Sequence, residues 1–240
     1  MIQEAMCKIC SGHSREFATG KVMSKYDIRY YRCDLCGFIQ TEEPYWLQEA
    51  YCKPINQSDT GLLSRNIYLS KVTRNVLEGF HFSPTAKFLD YGGGYGILVR
   101  LMRDYRKNFY WWDPSCENLF AQGYEHREII EGPYELLTAF EVLEHSVDPI
   151  KDMEKMFALA PNVLLTTECI PEHCPKPGQW WYYGMDHGQH ISLFSRKSLE
   201  ILAHRMGAQL YSRRSIHLMT RKKLFNPSFQ MSCILARFIS

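Results

Sequence analysis

A turn with glycine at every second position constrains this chain more than any other feature of its sequence. Asp90-Tyr91-Gly92-Gly93-Gly94-Tyr95-Gly96 ends the short apolar run 86–91 and opens a helical pattern over residues 96–105. Glycine lets the backbone turn tightly and approach a ligand closely, where a Cβ atom would collide. The helix that follows offers free N–H groups to an anionic ligand group. The segment therefore predicts a strand, a ligand-binding turn and a helix.

Short apolar runs alternate with helical repeats after the chain break at Ser83-Pro84. The predicted strands cover residues 86–91, 108–113, 128–131, 135–142 and 162–168, with two closing strands in 208–222. The predicted helices cover residues 96–105, 148–159 and 195–206. This order predicts an α/β fold, a Rossmann-like, doubly wound and mostly parallel sheet of seven strands with helices on both faces.

The chain of 240 residues is long enough for one α/β domain and a small additional module. We expect a small N-terminal zinc-binding module in residues 1–45 and a helical linker in residues 46–82. The main domain then covers residues 83–222, and residues 223–240 form a C-terminal tail.

Charge and hydropathy exclude some functions. The formal net charge is only +2, and nucleic-acid binding normally requires a clustered basic excess, so a nucleic-acid partner is not expected. No apolar run approaches the ~18 residues that span a bilayer. The first residues lack the basic-then-apolar layout of a signal peptide. We therefore expect a cytoplasmic protein without a membrane span.

Two cysteine pairs, Cys7/Cys10 and Cys33/Cys36, have C-x-x-C spacing and are separated by 22 residues. Each pair can present two thiolates to one ion, and four sulfurs complete the tetrahedral shell that Zn²⁺ prefers. Because all four ligands are cysteines, no position stays open for water and the predicted zinc is structural. A redox pair or a coincidental arrangement is the alternative. The other five cysteines are interpreted as unligated thiols.

The spacing D-x-G-x-G-x-G resembles the first motif of class I S-adenosylmethionine-dependent methyltransferases. A dinucleotide-binding turn would instead need a small residue at the position of Ile97. Asp113 ends the next predicted strand, 23 residues after Asp90, where a carboxylate can accept hydrogen bonds from a ribose. The stretch 140–145, F-E-V-L-E-H, resembles the V-L-E-H segment that follows the fourth strand in that family. The resemblance covers roughly residues 83–222.

The resemblance implies which residues bind the cofactor. Asp113 would bind the ribose, Phe140 and Glu141 would lie beside the cofactor, and the adenine contact would come from near Glu131-Gly132. Four residues of the glycine-rich turn would line the methionine end: Asp90, Gly92, Gly94 and Gly96. A purely structural turn and, for Asp113, a carboxylate at a helix start are the alternatives.

A long aromatic loop in residues 171–194 follows the predicted strand 162–168. Loops of this length inside a compact domain are usually functional, and ligands of open α/β sheets bind beyond the carboxyl ends of the strands. Trp181, Tyr182 and Tyr183 offer flat faces and hydroxyls that suit a sugar ring, and they would suit a nucleobase equally well. We predict that these three residues bind the acceptor.

The segment 189–195, Q-H-I-S-L-F-S, resembles a segment of nucleotide-sugar methyltransferases in which the histidine stands beside the acceptor. A hydroxyl is a weak nucleophile, so a base must take its proton, and histidine suits this role with a pKa near ~6.5. His190 is the first candidate, followed by His187 and His145, and Glu144 is predicted to orient His145 or a substrate hydroxyl. A histidine that only makes local hydrogen bonds is the alternative for each.

These features predict an S-adenosylmethionine-dependent methyltransferase that O-methylates a sugar or sugar nucleotide for glycan biosynthesis. A paired-cysteine module ahead of such a domain resembles sugar methyltransferases and also some ribosomal-RNA guanine methyltransferases. An RNA base methyltransferase is therefore the first alternative, and a cofactor-binding scaffold without catalysis is the second. The sequence leaves the acceptor, the methylated position and the oligomeric state open.

Overall fold

The computed structural model describes residues 4–52, 60–127, 133–224 and 226–236, which form two sheets and six α-helices. The strands are β1 (Glu4–Met6), β2 (His13–Val22), β3 (Tyr26–Cys33), β4 (Ile39–Thr41), β5 (Lys87–Tyr91), β6 (Asn108–Trp112), β7 (Leu136–Phe140), β8 (Asn162–Thr166), β9 (Ser192–Leu193), β10 (Gln209–Arg213) and β11 (Ile216–Thr220). The helices are α1 (Leu47–Ala50), α2 (Leu62–Phe80), α3 (Ile97–Asp104), α4 (Pro149–Leu159), α5 (Arg196–Arg205) and α6 (Asn226–Leu235).

The main sheet has the strand order β10-β11-β8-β7-β5-β6. Strands β6, β5, β7 and β8 are parallel, whereas β11 runs antiparallel to both β8 and β10. The α/β class and the mostly parallel sheet agree with the sequence-based prediction, but six strands are described where seven were predicted. Beyond β6 there is a single parallel bridge between Trp111 and Glu125, and the predicted strand 128–131 lies outside the described residues.

Helices cover both faces of this sheet. Successive residues of its central strands point to opposite faces, and apolar residues on each face pack against helices. Leu137 of β7 belongs to the apolar cluster that α4 and α5 complete. The neighbouring Leu136 belongs to the other cluster, which includes residues of α2, α3 and α6. Fully buried strands of this kind carry continuous apolar runs, as in the run N-V-L-L-T of β8.

The segments predicted as linker and tail both pack on the main sheet. Helix α2, from the predicted linker, contributes Leu69, Val72 and Val76 to the core. Helix α6, from the predicted tail, adds Phe229 and Cys233 to the same cluster. None of the helices in the described ranges is long and apolar enough to cross a membrane.

The N-terminal sheet is antiparallel and has the order β1-β2-β3-β4-β9. Its last strand comes from far along the chain, since β9 follows β8 and pairs through Leu193 with Ile39 and through Ser192 with Gln40. Next to this pairing, the rings of Phe38 and Phe194 are 5.0 Å apart. The cysteine-containing segment is therefore joined to the loop that precedes α5.

Candidate active site

A cleft of about 1110 Å³ lies at the carboxyl ends of β5, β6 and β7. Parallel strands of an open α/β sheet place their ligand sites at this edge. One side of the cleft is formed by the residues that follow these three strands, and another by the loop around residues 178–190. The N-terminal segment adds Tyr51 and helix α2 adds Arg65. Nine of the residues predicted to bind the cofactor or the acceptor, or to act as the base, line this cleft.

The glycine-rich turn lies on the cleft wall through Gly92 and Gly94. Both have a positive φ, +70° and +53°, which favours glycine. A Cβ atom at position 92 would lie 2.7 Å from Cγ2 of Val142, so a larger residue does not fit there. The backbone N–H of Gly94 donates a 2.8 Å hydrogen bond to Oδ2 of Asp113, which links the turn to the end of β6.

Two members of the turn, Gly96 and Asp90, have other surroundings. Gly96 does not line the cleft, and at its φ of +84° a Cβ would meet Ala121 Cβ at 2.9 Å. The prediction of a cofactor contact is therefore corrected to a packing role for Gly96. Asp90 is buried behind the turn, where it accepts a 2.7 Å hydrogen bond from Thr138 Oγ1 and borders a small cavity of about 70 Å³. Burial raises the pKa of its carboxyl to about 7.

Asp113 lies on the cleft wall with its carboxylate held by the backbone. Oδ1 accepts 2.8 Å hydrogen bonds from the N–H groups of Ser115 and Cys116, and Oδ2 accepts the one from Gly94. This carboxylate therefore closes a local turn and is fixed beside the glycine-rich turn. The alternative interpretation expected a helix start here, but none of the helices in the described part of the chain starts at Asp113. Glu131-Gly132, predicted to contact adenine, lie outside the described residues.

Phe140 and Glu141, predicted to lie beside the cofactor, follow β7 and line the cleft. Glu141 has a left-handed backbone with φ of +55°, a strained conformation for a residue with a Cβ. Its N–H donates to Thr166 Oγ1 at 2.9 Å, and the same hydroxyl donates to Glu141 Oε1 at 2.7 Å. Burial raises the pKa of the Glu141 carboxyl. The two bonds with Thr166 of β8 thus fix the backbone and the side chain of Glu141 at the edge of the cleft.

The three predicted histidines form one cluster. The ring centroids of His145 and His190 are 4.9 Å apart, and those of His187 and His190 are 4.8 Å apart, both edge to face. All three line the cleft. Burial lowers the pKa of His190 to about 4, and it lowers the pKa of His145 well below its usual value. The imidazoles of His145 and His190 are therefore neutral at pH 7.

Hydrogen bonds fix the rings. Nδ1–H of His190 donates to the carbonyl of Tyr182 at 2.6 Å, which leaves Nε2 as the unprotonated nitrogen. Nδ1 of His145 is hydrogen-bonded to the hydroxyl of Tyr51 at 2.9 Å. Nδ1 of His187 accepts the N–H of Gln189, so its neutral form carries the proton on Nε2. Of the three histidines, His190 is the one whose tautomer is fixed by a hydrogen bond to a carbonyl. This tautomer leaves Nε2 free to accept a proton, as a base requires.

Glu144 is fully buried beside this cluster. Its Oε1 accepts a 2.6 Å hydrogen bond from the hydroxyl of Tyr182, while its Oε2 has no hydrogen-bond partner in the described part of the chain. Burial, and next the charge of Glu141, raise the pKa of the Glu144 carboxyl well above its usual value. Glu144 contributes no surface to the cleft, so the predicted contact with a substrate hydroxyl is not present in the structure.

Of the three aromatic residues predicted to bind the acceptor, only Trp181 lies at the cleft, with 73% of its surface exposed. Tyr182 and Tyr183 are buried, so their prediction is corrected. Tyr183 donates to the carbonyl of Pro175 at 2.9 Å and packs edge to face on Tyr30. Both tyrosines support the loop instead of presenting their rings to a ligand.

The segment before α2 holds the loop from the other side. Trp46 Nε1 donates to the carbonyl of Gly188 at 2.8 Å, and Gln189 Nε2 donates to the carbonyl of Ala50 at 3.0 Å. These contacts bring Tyr51 to His145. Arg65 and Trp112 also line the cleft and were not predicted from the sequence. Trp112 could have been found, because it lies at the end of the aromatic strand β6.

The four predicted metal ligands Cys7, Cys10, Cys33 and Cys36 form a cluster, the four-cysteine cluster, in which all sulfur atoms lie within 4.8 Å of one another. Cys7 and Cys36 Sγ are 3.6 Å apart, and Cys10 and Cys33 Sγ are 3.4 Å apart. Four sulfurs at ~2.3 Å from a tetrahedral zinc ion would be separated by about 3.8 Å, so the cluster has the right size.

The backbone around the cluster also fits a metal. The N–H groups of Ile9 and Cys36 point at the sulfur atoms of Cys7 and Cys33, each at 3.4 Å, and such bonds stabilise thiolates. The hydroxyl of Ser195, at the start of α5, donates to the carbonyl of Cys36. A redox pair needs only two neighbouring sulfurs, whereas here all four converge.

Comparison with known proteins gives the family. A family model described as a methyltransferase domain matches residues 64–213, from α2 to the end of β10. No curated protein matches the sequence. The fold and its cleft define an α/β protein with a ligand site at the carboxyl edge of a parallel sheet. The chain belongs to the methyltransferase-domain family.

Several solved structures are similar at low identity. An O-methyltransferase family protein from Burkholderia thailandensis is 13% identical, with a TM-score of 0.49 over 72% of this chain and 61% of that one. The magnesium protoporphyrin IX methyltransferase from Synechocystis is 12% identical, with a TM-score of 0.46 over 73% and 94%. Mitomycin 7-O-methyltransferase is 15% identical, with a TM-score of 0.46 over 63% and 52%. The chain spans 60% of TnmH and 54% of CalO1. None of these likenesses bears on the substrate.

Proposed function

We propose that this methyltransferase transfers a methyl group to a hydroxyl of a small polar acceptor, a sugar or sugar nucleotide. The observation that carries the proposal is one cleft whose wall contains both the glycine-rich turn with Asp113 and the cluster of three histidines. The first group fits a nucleoside cofactor, and the second fits a group that loses a proton. The acceptor class is inferred from the aromatic and hydrogen-bonding character of the loop.

On the cofactor side, Gly92 and Gly94 leave room for a ligand to approach the backbone, and Asp113 and Glu141 offer carboxylates at the same edge. We assign the ribose hydroxyls to Asp113, whose orientation three N–H groups fix in advance. Burial raises the pKa of the Glu141 carboxyl, and the charge of Arg65 opposes this effect. When bound, S-adenosylmethionine supplies a methyl group made electrophilic by its sulfonium.

On the acceptor side, exposed Trp181 offers a flat apolar face and the histidines offer polar contacts. Methyl transfer to oxygen requires that the acceptor be positioned in line and that its proton be removed. His190 is the first candidate for contact with the reacting hydroxyl, because Nε2 carries its free electron pair. His187 and His145 stay as the second candidates.

At the N-terminus, we propose that the four-cysteine cluster holds one structural Zn²⁺ ion. Its four thiolates would fill the coordination shell, so the ion would act by holding the two C-x-x-C turns together. The antiparallel sheet next to these turns also includes β9, which follows the loop that carries His187 and His190. The zinc would thereby support that loop.

The role of Asp113 leads to a prediction about cofactor affinity. Asp113→Asn keeps the side-chain size but removes the charge and exchanges an acceptor oxygen for an NH₂ donor, which would face an N–H group. Losing a charge-assisted hydrogen bond costs about 1.5–3 kcal/mol, so binding should weaken by about 10- to 100-fold. Titration calorimetry with S-adenosylhomocysteine measures the effect, with Asp104→Asn, on the exposed side of α3, as the matched control. Equal affinity of Asp113→Asn and the wild type would remove Asp113 from the cofactor site.

The acceptor class is tested by product analysis. Purified protein is incubated with S-adenosylmethionine and separate panels of sugar nucleotides, free sugars, phenols and RNA, and methylated products are identified by mass spectrometry. We expect a mass increase of one methyl group on a sugar hydroxyl. Tight, salt-sensitive binding to RNA with base methylation would overturn the sugar assignment in favour of RNA. Cofactor binding without any methylated product would favour the scaffold.

A further inference from the structure

We propose that Glu144, His145 and His190 hold a divalent transition-metal cation at the wall of the cleft. Each of the three offers one ligand atom, and these atoms lie within 4.8 Å of one another. Two histidines and one carboxylate are the ligand set of many open metal sites, in which remaining positions bind substrate or water. The inference refines the proposed function, since it changes how the acceptor would be activated in the same cleft.

The surroundings of the three ligands resemble those of built metal sites. Ligating histidines almost always use their other ring nitrogen in a hydrogen bond that fixes the ring. Here Nδ1 of His190 is bonded to the Tyr182 carbonyl, and Nδ1 of His145 is bonded to the Tyr51 hydroxyl. Tyr182 positions two of the ligands, because its hydroxyl also donates to Oε1 of Glu144.

An independent observation comes from the carboxylate. Glu144 has no exposed surface, and its Oε2 has no hydrogen-bond partner within the described ranges. Leaving a buried acceptor without a donor is unfavourable. A cation beside Oε2 would supply the missing partner.

The hydrogen bond to Tyr182 also leaves free the nitrogen that a metal requires. Nδ1–H of His190 donates to the Tyr182 carbonyl, so Nε2 carries the free electron pair that could ligate a cation. The cation would take over the activation that the free base His190 was proposed to supply.

The two histidines lie on the cleft wall, so the open positions of the cation would face the cleft. A hydroxyl oxygen of the acceptor bound there would lose its proton more easily, because a metal ion lowers the pKa of a bound oxygen. In the reaction the oxygen loses its proton to solvent and bonds the methyl carbon. The carbon–sulfur bond breaks, and its electron pair stays on sulfur.

Cobalt binding tests the site separately from the four-cysteine cluster. Zinc-loaded protein is titrated with Co²⁺, and the metal content is counted by mass spectrometry. Cobalt bound to nitrogen and oxygen shows weak d–d bands without the thiolate charge-transfer band that a site made of cysteines would give. We expect the wild type to bind one Co²⁺ per chain with such a spectrum, and Glu144→Gln to bind it at least 10-fold more weakly.

The matched control is Glu154→Gln, an exposed position on α4, which should bind cobalt like the wild type. His145→Gln serves as the second ligand variant, and melting temperatures identify any variant that does not fold. Equal cobalt affinity in the wild type and both folded ligand variants would overturn the site. So would full methyl transfer by protein stripped of cobalt and every metal except the zinc of the four-cysteine cluster. Binding of S-adenosylhomocysteine, measured in the same samples, tests the proposed function independently.

Discussion

Replacing His190 with alanine is expected to lower kcat for methyl transfer by about 10²–10⁴-fold, the range that general acid–base catalysis usually contributes. The substitution removes the nitrogen that we propose to contact the acceptor, whether this nitrogen takes the proton itself or ligates a cation. It leaves the glycine-rich turn and Asp113 unchanged, so the affinity for S-adenosylhomocysteine should stay within about 3-fold of the wild type. Steady-state kinetics and calorimetry on the same preparation measure the two effects.

A structural role for His190 would give a different result. The His190 ring packs between His145, His187 and Tyr182, and its loss could loosen the loop. In that case added imidazole would not restore turnover, whereas a missing base or ligand should be partly replaced by it. His204→Ala, an exposed histidine on α5, is the matched control and should keep wild-type kinetics. Normal turnover of His190→Ala would refute its assignment.

Replacing Cys36 with serine is expected to release the zinc ion of the four-cysteine cluster and to lower the free energy of unfolding by more than about 3 kcal/mol. Cys36 is buried, its sulfur faces Cys7 at 3.6 Å, and its carbonyl accepts the Ser195 hydroxyl. Loss of the ion would therefore loosen the start of α5 together with the N-terminal sheet. Metal analysis and urea unfolding monitored by circular dichroism measure the two effects.

The control for this variant is Cys52→Ser, since Cys52 is exposed and lies outside the cluster. It should keep its zinc and its stability. A Cys36→Ser protein that retains one zinc ion at full occupancy would exclude zinc ligation by all four cysteines. Wild-type protein that purifies without metal, yet with the same N-terminal sheet, would return the four cysteines to the redox interpretation.

The predicted residues that the structure brings together are mostly those encoded by local sequence. The positive φ of Gly92 and Gly94 and the position of Asp113 at the next strand end follow from short-range constraints that a few residues express. The C-x-x-C turns are also encoded by local sequence, because the two cysteines of each pair are only three residues apart. Gly96 was assigned wrongly since the same backbone requirement serves packing against Ala121 as well as ligand approach.

Features that depend on distant contacts could not be predicted. Trp181, Tyr182 and Tyr183 are consecutive aromatics in a loop without periodicity, and nothing local indicates that only the first faces the cleft. The buried direction of Tyr182 depends on Glu144, 38 residues earlier. Likewise, Tyr51 meets His145 only because Trp46 and Gln189 connect two segments far apart in the chain.

The two-residue strand β9 has a consequence for how this protein can be divided or recombined. Since Ser192 and Leu193 complete a sheet whose other strands all precede helix α1, the cysteine-bearing segment is not a detachable unit. If only this segment were replaced by one from another enzyme, the new segment would need an edge strand that pairs with β9. Strand β9 itself would still come from the original chain. The loop that carries His187 and His190 would therefore have to be exchanged together with the N-terminal segment.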